Sequence, residues 1–355
     1  MSSRTRYFLI GSALVVVVGL CTGLVAYYNG ALMPAGAAAR LPEIAYVPAD
    51  ATAIAYANVR DIMSSEFHRQ LHANLPAGAQ AGAEKDRFLA ETGVDIERDI
   101  DSVTAGFGHD AGSRREPVVL LRGRFDATKI ESLATQHGAL AEDYKGRRLL
   151  IAPHGAMSSM PPMPDMPGTQ ADAATHGEPG IAFLEPTLLA LGTRDGLRAA
   201  VDASSGASVT SNAELMGFVA DAQRGGNAWM VGRFDAISQP SGLPDRIREQ
   251  LPPVDWFIVT ADVDRGVHGV VRAEARDDQS GEQLRGMVNA ALGAAHLLAG
   301  RDARLDATLK SVQATGSGKT LQVTFDVGPE MLDLMKSGRF GFPMPAPAPA
   351  PAPAQ

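Results

Sequence analysis

Met157, Met160, Met163 and Met166 recur at every third position through a stretch that also holds Pro161, Pro162 and Pro164. A polyproline II helix has three residues per turn, so this spacing would set all four thioethers along one side. Thioethers are soft ligands that select Cu(I), and His154 and His176 flank the run. The chemistry implied is copper handling. The plainer reading is a Met- and Pro-rich insertion that binds nothing.

Other residue patterns fall short of a site. Gly316-Ser317-Gly318-Lys319-Thr320 has the ending of a phosphate loop, but Gln313 stands where the first glycine is needed. It also opens the alternating, β-branched run Leu321-Gln322-Val323-Thr324-Phe325 instead of a helix, so it reads as a hairpin turn. Asp95, Glu97, Asp99 and Asp101 place carboxylates at alternate positions, yet Ile100 and Gly106 stand where a calcium loop needs glycine and a closing acid. They read as the wet side of a loop entering a strand. His68 and His72, four apart on a helix, offer two ligands where a metal needs more. No Gly-x-Ser-x-Gly elbow and no His-Glu-x-x-His pair is present. The sequence therefore assigns no catalytic, cofactor-binding or metal-ligating residue.

The elements around these patterns can be read from periodicity. Ala53 to Val59 is strand-like, and Phe67, Leu71 and Leu75 mark a helix face. Strands follow at Ser102 to Phe107 and Pro117 to Leu121. Asp126 then caps a helix with an inner stripe of Ile130, Leu133 and Ala134, ended by Gly138. Residues 154–180 form a long insertion between strands at Arg148 to Ala152 and Ile181 to Leu184. The pattern then repeats. A strand at Ala228 to Val231 leads to a short helix around Ile247 and Leu251 and a hairpin, Trp256 to Val263 and Val267 to Ala273, turning at Asp264-Arg265-Gly266. Ser280 and Gln283 make a capping box for a helix with the stripe Leu284, Met287, Val288, Ala291, Leu292 and Ala295, stopped by Gly300. A closing hairpin joins Leu309 to Ala314 with Thr320 to Val327. Trp229 and Trp256 fall within strands as core residues.

This order implies an α+β class: two related domains of antiparallel sheet packed with helices, at 45–206 and 207–336, the first carrying the insertion. A Pro/Ala tail at 337–355 would stay extended.

Ahead of them, Arg4 and Arg6 precede a run from Tyr7 to Tyr28 with no charged residue. About 20 helical residues span roughly 30 Å, the hydrocarbon thickness of a bilayer. Tyr7, Tyr27 and Tyr28 sit where interfacial aromatics belong, and the two arginines hold the N-terminus in the cytoplasm. Residues 1–28 thus read as a cytoplasmic stub and transmembrane anchor, with 29–44 as a stalk. Ala37-Ala38-Ala39 offers a signal-peptide cleavage site, but far from the end of an overlong apolar run. The expected location is the inner (plasma) membrane, single-pass, with the C-terminal bulk periplasmic or extracellular. Cys21 is the lone cysteine and precludes an internal disulfide. With Leu20 before it, it is no lipid attachment site. A net charge of −8 and the lack of a basic stripe exclude broad phosphate-backbone contact, so nucleic acid is not an expected partner.

Pro48-Ala49-Asp50 before a strand, Thr92-Gly93-Val94-Asp95 and Arg98-Asp99-Ile100-Asp101-Ser102, behind an N-terminal anchor, resemble uncharacterised bacterial envelope proteins of a domain-of-unknown-function type, over residues 44–135. The resemblance implies an exported α+β body and brings no catalytic residue with it. The expectation is a membrane-anchored extracytoplasmic binding or scaffolding protein with an envelope-protein or cell-wall partner and no cofactor. A copper-handling protein and a hydrolase without a familiar motif are the alternatives.

Overall fold

Alternation of apolar residues along Ala51–Ala57 gives β1 two buried faces, one presenting Ile54 and the other Ala53, Ala55 and Ala57. Strands buried on both sides need cover from two layers, and that requirement organises the molecule. The structure is a computed structural model that describes residues 41–74, 88–110, 113–114, 117–152, 177–206, 208–234, 252–299 and 309–328. The apolar run with Cys21, the methionine segment with His154 and His176, the helix expected around Ile247, and the Pro/Ala tail lie outside the described residues.

A 3₁₀ turn at Pro42–Tyr46 precedes β1 (Ala51–Ala57), followed by helices α1 (Val59–Ser64), α2 (Glu66–Asn74) and α3 (Ile96–Asp99). Then come β2 (Ile100–Asp110), β3 (Ser113–Arg114), β4 (Val118–Gly123) and α4 (Ala127–Gln136). A meander of β5 (Leu140–Tyr144), β6 (Arg147–Ile151), β7 (Pro179–Glu185) and β8 (Leu188–Thr193) ends in α5 (Arg194–Ala203). After a 3₁₀ turn at Val209–Ser211 the chain forms α6 (Ala213–Ala222), β9 (Ala228–Arg233), β10 (Val254–Val263), β11 (Val267–Ala275), α7 (Asp278–Ala299), β12 (Gln313–Thr315) and β13 (Thr320–Val327).

All of these strands lie in one antiparallel sheet, ordered β12-β13-β11-β10-β9-β1-β2-β4-β8-β7-β6-β5, with β3 attached to β2. The fold is α+β. The stretches 45–206 and 207–336 meet at the β1–β9 pair, where Tyr56 lies opposite Trp229 and Ala53 opposite Gly232. Their contact is close because a Cβ added at Gly232 would come within 2.3 Å of the Ala53 Cβ. One apolar cluster draws on both stretches: Leu197 and Val201 from α5, Leu215 and Val219 from α6, and Trp229, Trp256 and Ile258 from the sheet. At about 1.5–3 kcal/mol per fully buried large side chain, this layer is a main source of stability. The opposite face packs Met230, Phe257, Val259 and Phe325 into a second cluster. Among the described residues no helix is long and apolar enough to cross a membrane.

Local differences from the expected elements have local causes. Helix α7 starts at Asp278 because Asp277 Oδ1 accepts the Ser280 backbone N–H at 2.8 Å, so the cap is Asp277 and not a Ser280–Gln283 box. Of its expected stripe only Leu284 is fully buried, Val288, Leu292 and Ala295 are half-buried, and Met287 and Ala291 are exposed. In α4 the stripe of Ile130, Leu133 and Ala134 is likewise half-buried. The last hairpin pairs only Gln313–Thr315 with β13, because residues 309–311 form a helical turn.

Candidate functional site

The 3₁₀ turn at Pro42–Tyr46 is driven into the α5/α6 side of the sheet by Ile44, Tyr46 and Val47, all buried. Glu43 lies among them and is carried in with them, at 2% exposure. A carboxylate in that position is tolerable only if paired and hydrogen-bonded. Arg122, near the end of β4, supplies the pair: its Nε donates to Glu43 Oε2 at 3.1 Å. Ser102, opposite Arg122 in the β2–β4 register, donates its hydroxyl to Glu43 Oε1 at 3.4 Å. The same guanidinium reaches outward through Nη1 to Glu185 Oε2 at 3.3 Å and Thr187 Oγ1 at 3.4 Å. Its Nη2 is buried and has no hydrogen-bond partner among the described residues. Such a donor normally finds a partner, which makes the surroundings of Arg122 a place to look for a bound group.

A cavity of about 340 Å³ opens there. Its floor is Glu43, Ser102 and Arg122, and one wall is the ring of Tyr56, stacked on Trp229 with centroids 5.5 Å apart. Leu41 and Pro42 form an apolar side. The rim comes from the start of α1 and β2: Arg60 is paired with Asp101, and Asn58 Nδ2 donates to Asp61 Oδ2 at 2.6 Å. Asn58 is held by its own role as the α1 cap, where its side chain accepts the Asp61 backbone N–H at 3.1 Å. Burial, and then the negative charge of Glu43, push the Tyr56 hydroxyl up to about 12, with Asp61 adding in the same direction against a lowering hydrogen bond from Ser102. Burial and the neighbouring Glu185 carboxylate raise the Tyr46 hydroxyl as well.

The arrangement joins a low-dielectric floor with a fixed charge pair, an aromatic wall and a polar, partly solvated mouth. That is the make-up of a small-ligand site. A larger hollow of about 570 Å³ runs along α4 beside Ser132 and Gln136, but its Arg148–Glu131 pair, at 3.1 Å, is half exposed to solvent and no buried charged group is among the described residues that line it.

The patterns singled out in the sequence do not converge here, apart from Asp101. Asp95 caps α3, its Oδ1 accepting the Glu97 N–H at 3.0 Å, while Asp99 pairs with Arg124 at 3.1 Å. Asp95, Asp99 and Asp101 thus turn to separate cations, Arg98, Arg124 and Arg60. Gly316 to Thr320 makes the β12–β13 hairpin, with Gly316 and Gly318 at positive φ, and Lys319 pairs with Glu274 at 3.2 Å. His68 and His72 lie on α2. Trp229 and Trp256 are both buried. No cluster of three or more metal-ligating His, Cys, Asp or Glu side chains occurs among the described residues.

No family model matches this chain. No curated protein matches it either. Among solved structures, crystal form III of TP0453 aligns with a TM-score of 0.47 at 9% identity, over 84% of this chain and 99% of that one. Crystal form I of TP0453 aligns with a TM-score of 0.42 at 10% identity, over 84% and 98%.

Proposed function

We propose that this chain is a membrane-anchored, extracytoplasmic binding protein whose ligand enters the cavity between the Pro42–Tyr46 turn and strands β1, β2 and β4. The observation that carries this reading is the Glu43–Arg122 pair, its carboxylate buried, forming the floor of an open cavity, with one guanidinium nitrogen left without a partner among the described residues. A pair placed only for stability would sit beneath packed side chains. This one faces open space, where a bound polar group can complete it. Anchoring rests on the uncharged run from Tyr7 to Tyr28, and would hold the cavity close to a membrane surface.

Binding through sheet edges finds less support. The terminal strands β5 and β12 span five and three residues, and β5 carries Glu142 and Asp143, features that discourage addition of another strand.

Native mass spectrometry of the full chain released from membranes tests the reading against an Asp101→Arg variant, whose longer side chain fills the mouth. The wild type is expected to carry a small-molecule mass, or to melt at higher temperature in an envelope extract, and the variant to lose that gain. Identical masses and identical melting for both proteins would remove the cavity as a binding site.

A further inference from the structure

We infer that this cavity receives the hydroxyl edge of an uncharged sugar, one hydroxyl accepting from Arg122 Nη2 and its neighbour donating to Glu43. The inference rests on the reading of the cavity as a binding site and adds the chemistry of what binds.

The hydrogen-bonding groups left over on the floor decide the polar part. Of the buried side-chain atoms that lack a partner among the described residues, only Arg122 Nη2 belongs to a residue lining the cavity. It is a donor, so its partner must bring a lone pair. The Arg122 side chain is 23% exposed, so the guanidinium borders open space, and a small adjustment of this long side chain seats an oxygen on Nη2. Beside it, the Glu43 carboxylate accepts from Arg122 Nε at 3.1 Å and from Ser102 only at 3.4 Å. An ionised carboxylate has about four lone-pair sites, so Glu43 can take a further donor. The ligand therefore needs an acceptor and a donor close together, and a hydroxyl can play either part. At the mouth, the Asp61 carboxylate accepts from the Asn58 amide at 2.6 Å and has lone pairs to spare. A polyol brings donors to both places, where a simple amide brings them to one. Charge on the ligand is disfavoured. Arg122 already lies between Glu43 and Glu185, and Arg60 is paired with Asp101, so an anion would crowd carboxylates. An ammonium has no lone pair for Nη2.

The shape decides the rest. Leu41 and Pro42 give the cavity an apolar side, and the Tyr56 ring gives it an aromatic wall. A sugar ring divides in the same way, with C–H groups on its faces and hydroxyls around its edge. Its faces lie against Leu41, Pro42 and the electron-rich face of Tyr56 while its edge turns to the floor. A cavity of about 340 Å³ is at the small end for ligand sites and holds a single sugar ring with room for water. A free monosaccharide and the end unit of a glycan present the same edge.

Saturation-transfer NMR on the full chain in sugar-free detergent micelles, with the signal from empty micelles subtracted, tests this with the methyl glycosides of glucose, galactose and mannose. At least one is expected to bind saturably. Its uronate counterpart is expected to bind about tenfold more weakly, and butyramide not at all. In a series of deoxy analogues, loss of the hydroxyl that meets Arg122 should weaken binding about tenfold, the worth of one hydrogen bond to a charged group. Arg122→Lys keeps a cation opposite Glu43 but has no second terminal nitrogen. It should weaken the parent glycoside by the same factor and leave that deoxy analogue unchanged. Unchanged circular dichroism excludes misfolding of the variant, and the deoxy series on the wild type needs no variant. Tighter binding of a disaccharide ending in the same sugar identifies a glycan end, and the reverse identifies the free sugar. A uronate or butyramide that binds as tightly as the glycoside, deoxy analogues that all match it, or silence from all three glycosides overturns the sugar assignment. In those cases a small-molecule mass that the wild type carries from membranes and Asp101→Arg lacks keeps the cavity as a binding site. Absence of that mass as well overturns both.

Discussion

Replacing Arg122 with methionine keeps most of the side-chain volume and removes the one cation that Glu43 touches. Glu43 is 2% exposed, so the carboxylate would be left with a single 3.4 Å hydrogen bond from Ser102. Breaking a buried pair from one side costs about 3–5 kcal/mol. The Arg122 side chain is 23% exposed and its outer partner Glu185 35%, which places the cost at the lower end, about 3 kcal/mol. That is a large share of the roughly 5–15 kcal/mol that holds a domain together, and at about 2–4 °C per kcal/mol it lowers Tm by about 6–12 °C. The assay is urea unfolding followed by tryptophan fluorescence, where a lower midpoint with an unchanged slope reports stability alone. Adding Glu43→Gln to Arg122→Met should restore at least about 1.5 kcal/mol, because the amide needs no counter-charge. A single-mutant cost below about 1 kcal/mol, or a double mutant no better than the sum of its parts, would mean that the pair is solvated and the floor of the cavity is not as described.

Three further outcomes follow from the same structure. The Tyr56 hydroxyl, raised from 10 to about 12, favours the folded state below pH 10 and stops doing so as pH climbs toward 12; ultraviolet titration of phenolate should show late-titrating groups from Tyr56 and Tyr46, of which Tyr56→Phe removes one, and a profile unchanged by the substitution would contradict the burial of that ring. Asp277→Ala should fray the start of α7, seen as faster amide exchange over 278–284, and because the Ser280 amide holds the Asp277 carboxyl below the usual carboxylate range the wild-type protection should fade as pH falls below about 4. Leu197→Ala, in the shared α5/α6 core, should cost about 2–5 kcal/mol in urea unfolding, and a negligible cost would place α5 off the sheet.

The sequence displayed some of this architecture and concealed the rest for physical reasons. The β10–β11 hairpin is legible because Asp264-Arg265-Gly266 separates two apolar alternating runs, and Asp126 announces α4 because its carboxylate accepts the Lys129 N–H at 3.0 Å. The Gly316 to Thr320 loop declares itself a turn through the strand that follows it. In contrast, pairing of β1 with β9 joins segments more than 170 residues apart, and no local pattern encodes it. Ser280 and Gln283 fit a capping box in which Ser280 would accept the Gln283 N–H, but the α7 cap lies three residues earlier, where Asp277 accepts the N–H of Ser280 itself. Helices α5 and α6 left clear signals in the caps Thr193 and Asn212 and the stripes Leu197-Ala200-Val201 and Leu215-Val219-Ala222.

The cavity was hidden more deeply. Glu43, Tyr56, Ser102 and Arg122 come from four elements, and none belongs to a spaced motif. Glu43 looks like an ordinary surface acid in a stalk until Ile44, Tyr46 and Val47 carry it inward. Its significance comes from the register that sets Ser102 opposite Arg122, a long-range property of the sheet.

The two tryptophans allow the central claim to be tested in one experiment. Trp229 stacks on the cavity wall at Tyr56, while Trp256 sends its indole N–H to Glu214 Oε1 at 3.1 Å, away from the cavity. In a ¹⁵N spectrum of the full chain, addition of the small-molecule fraction of an envelope extract should move the Trp229 indole peak saturably and leave that of Trp256 in place. Two stationary peaks, or two that drift together without saturating, would contradict a ligand site between the Pro42–Tyr46 turn and the sheet.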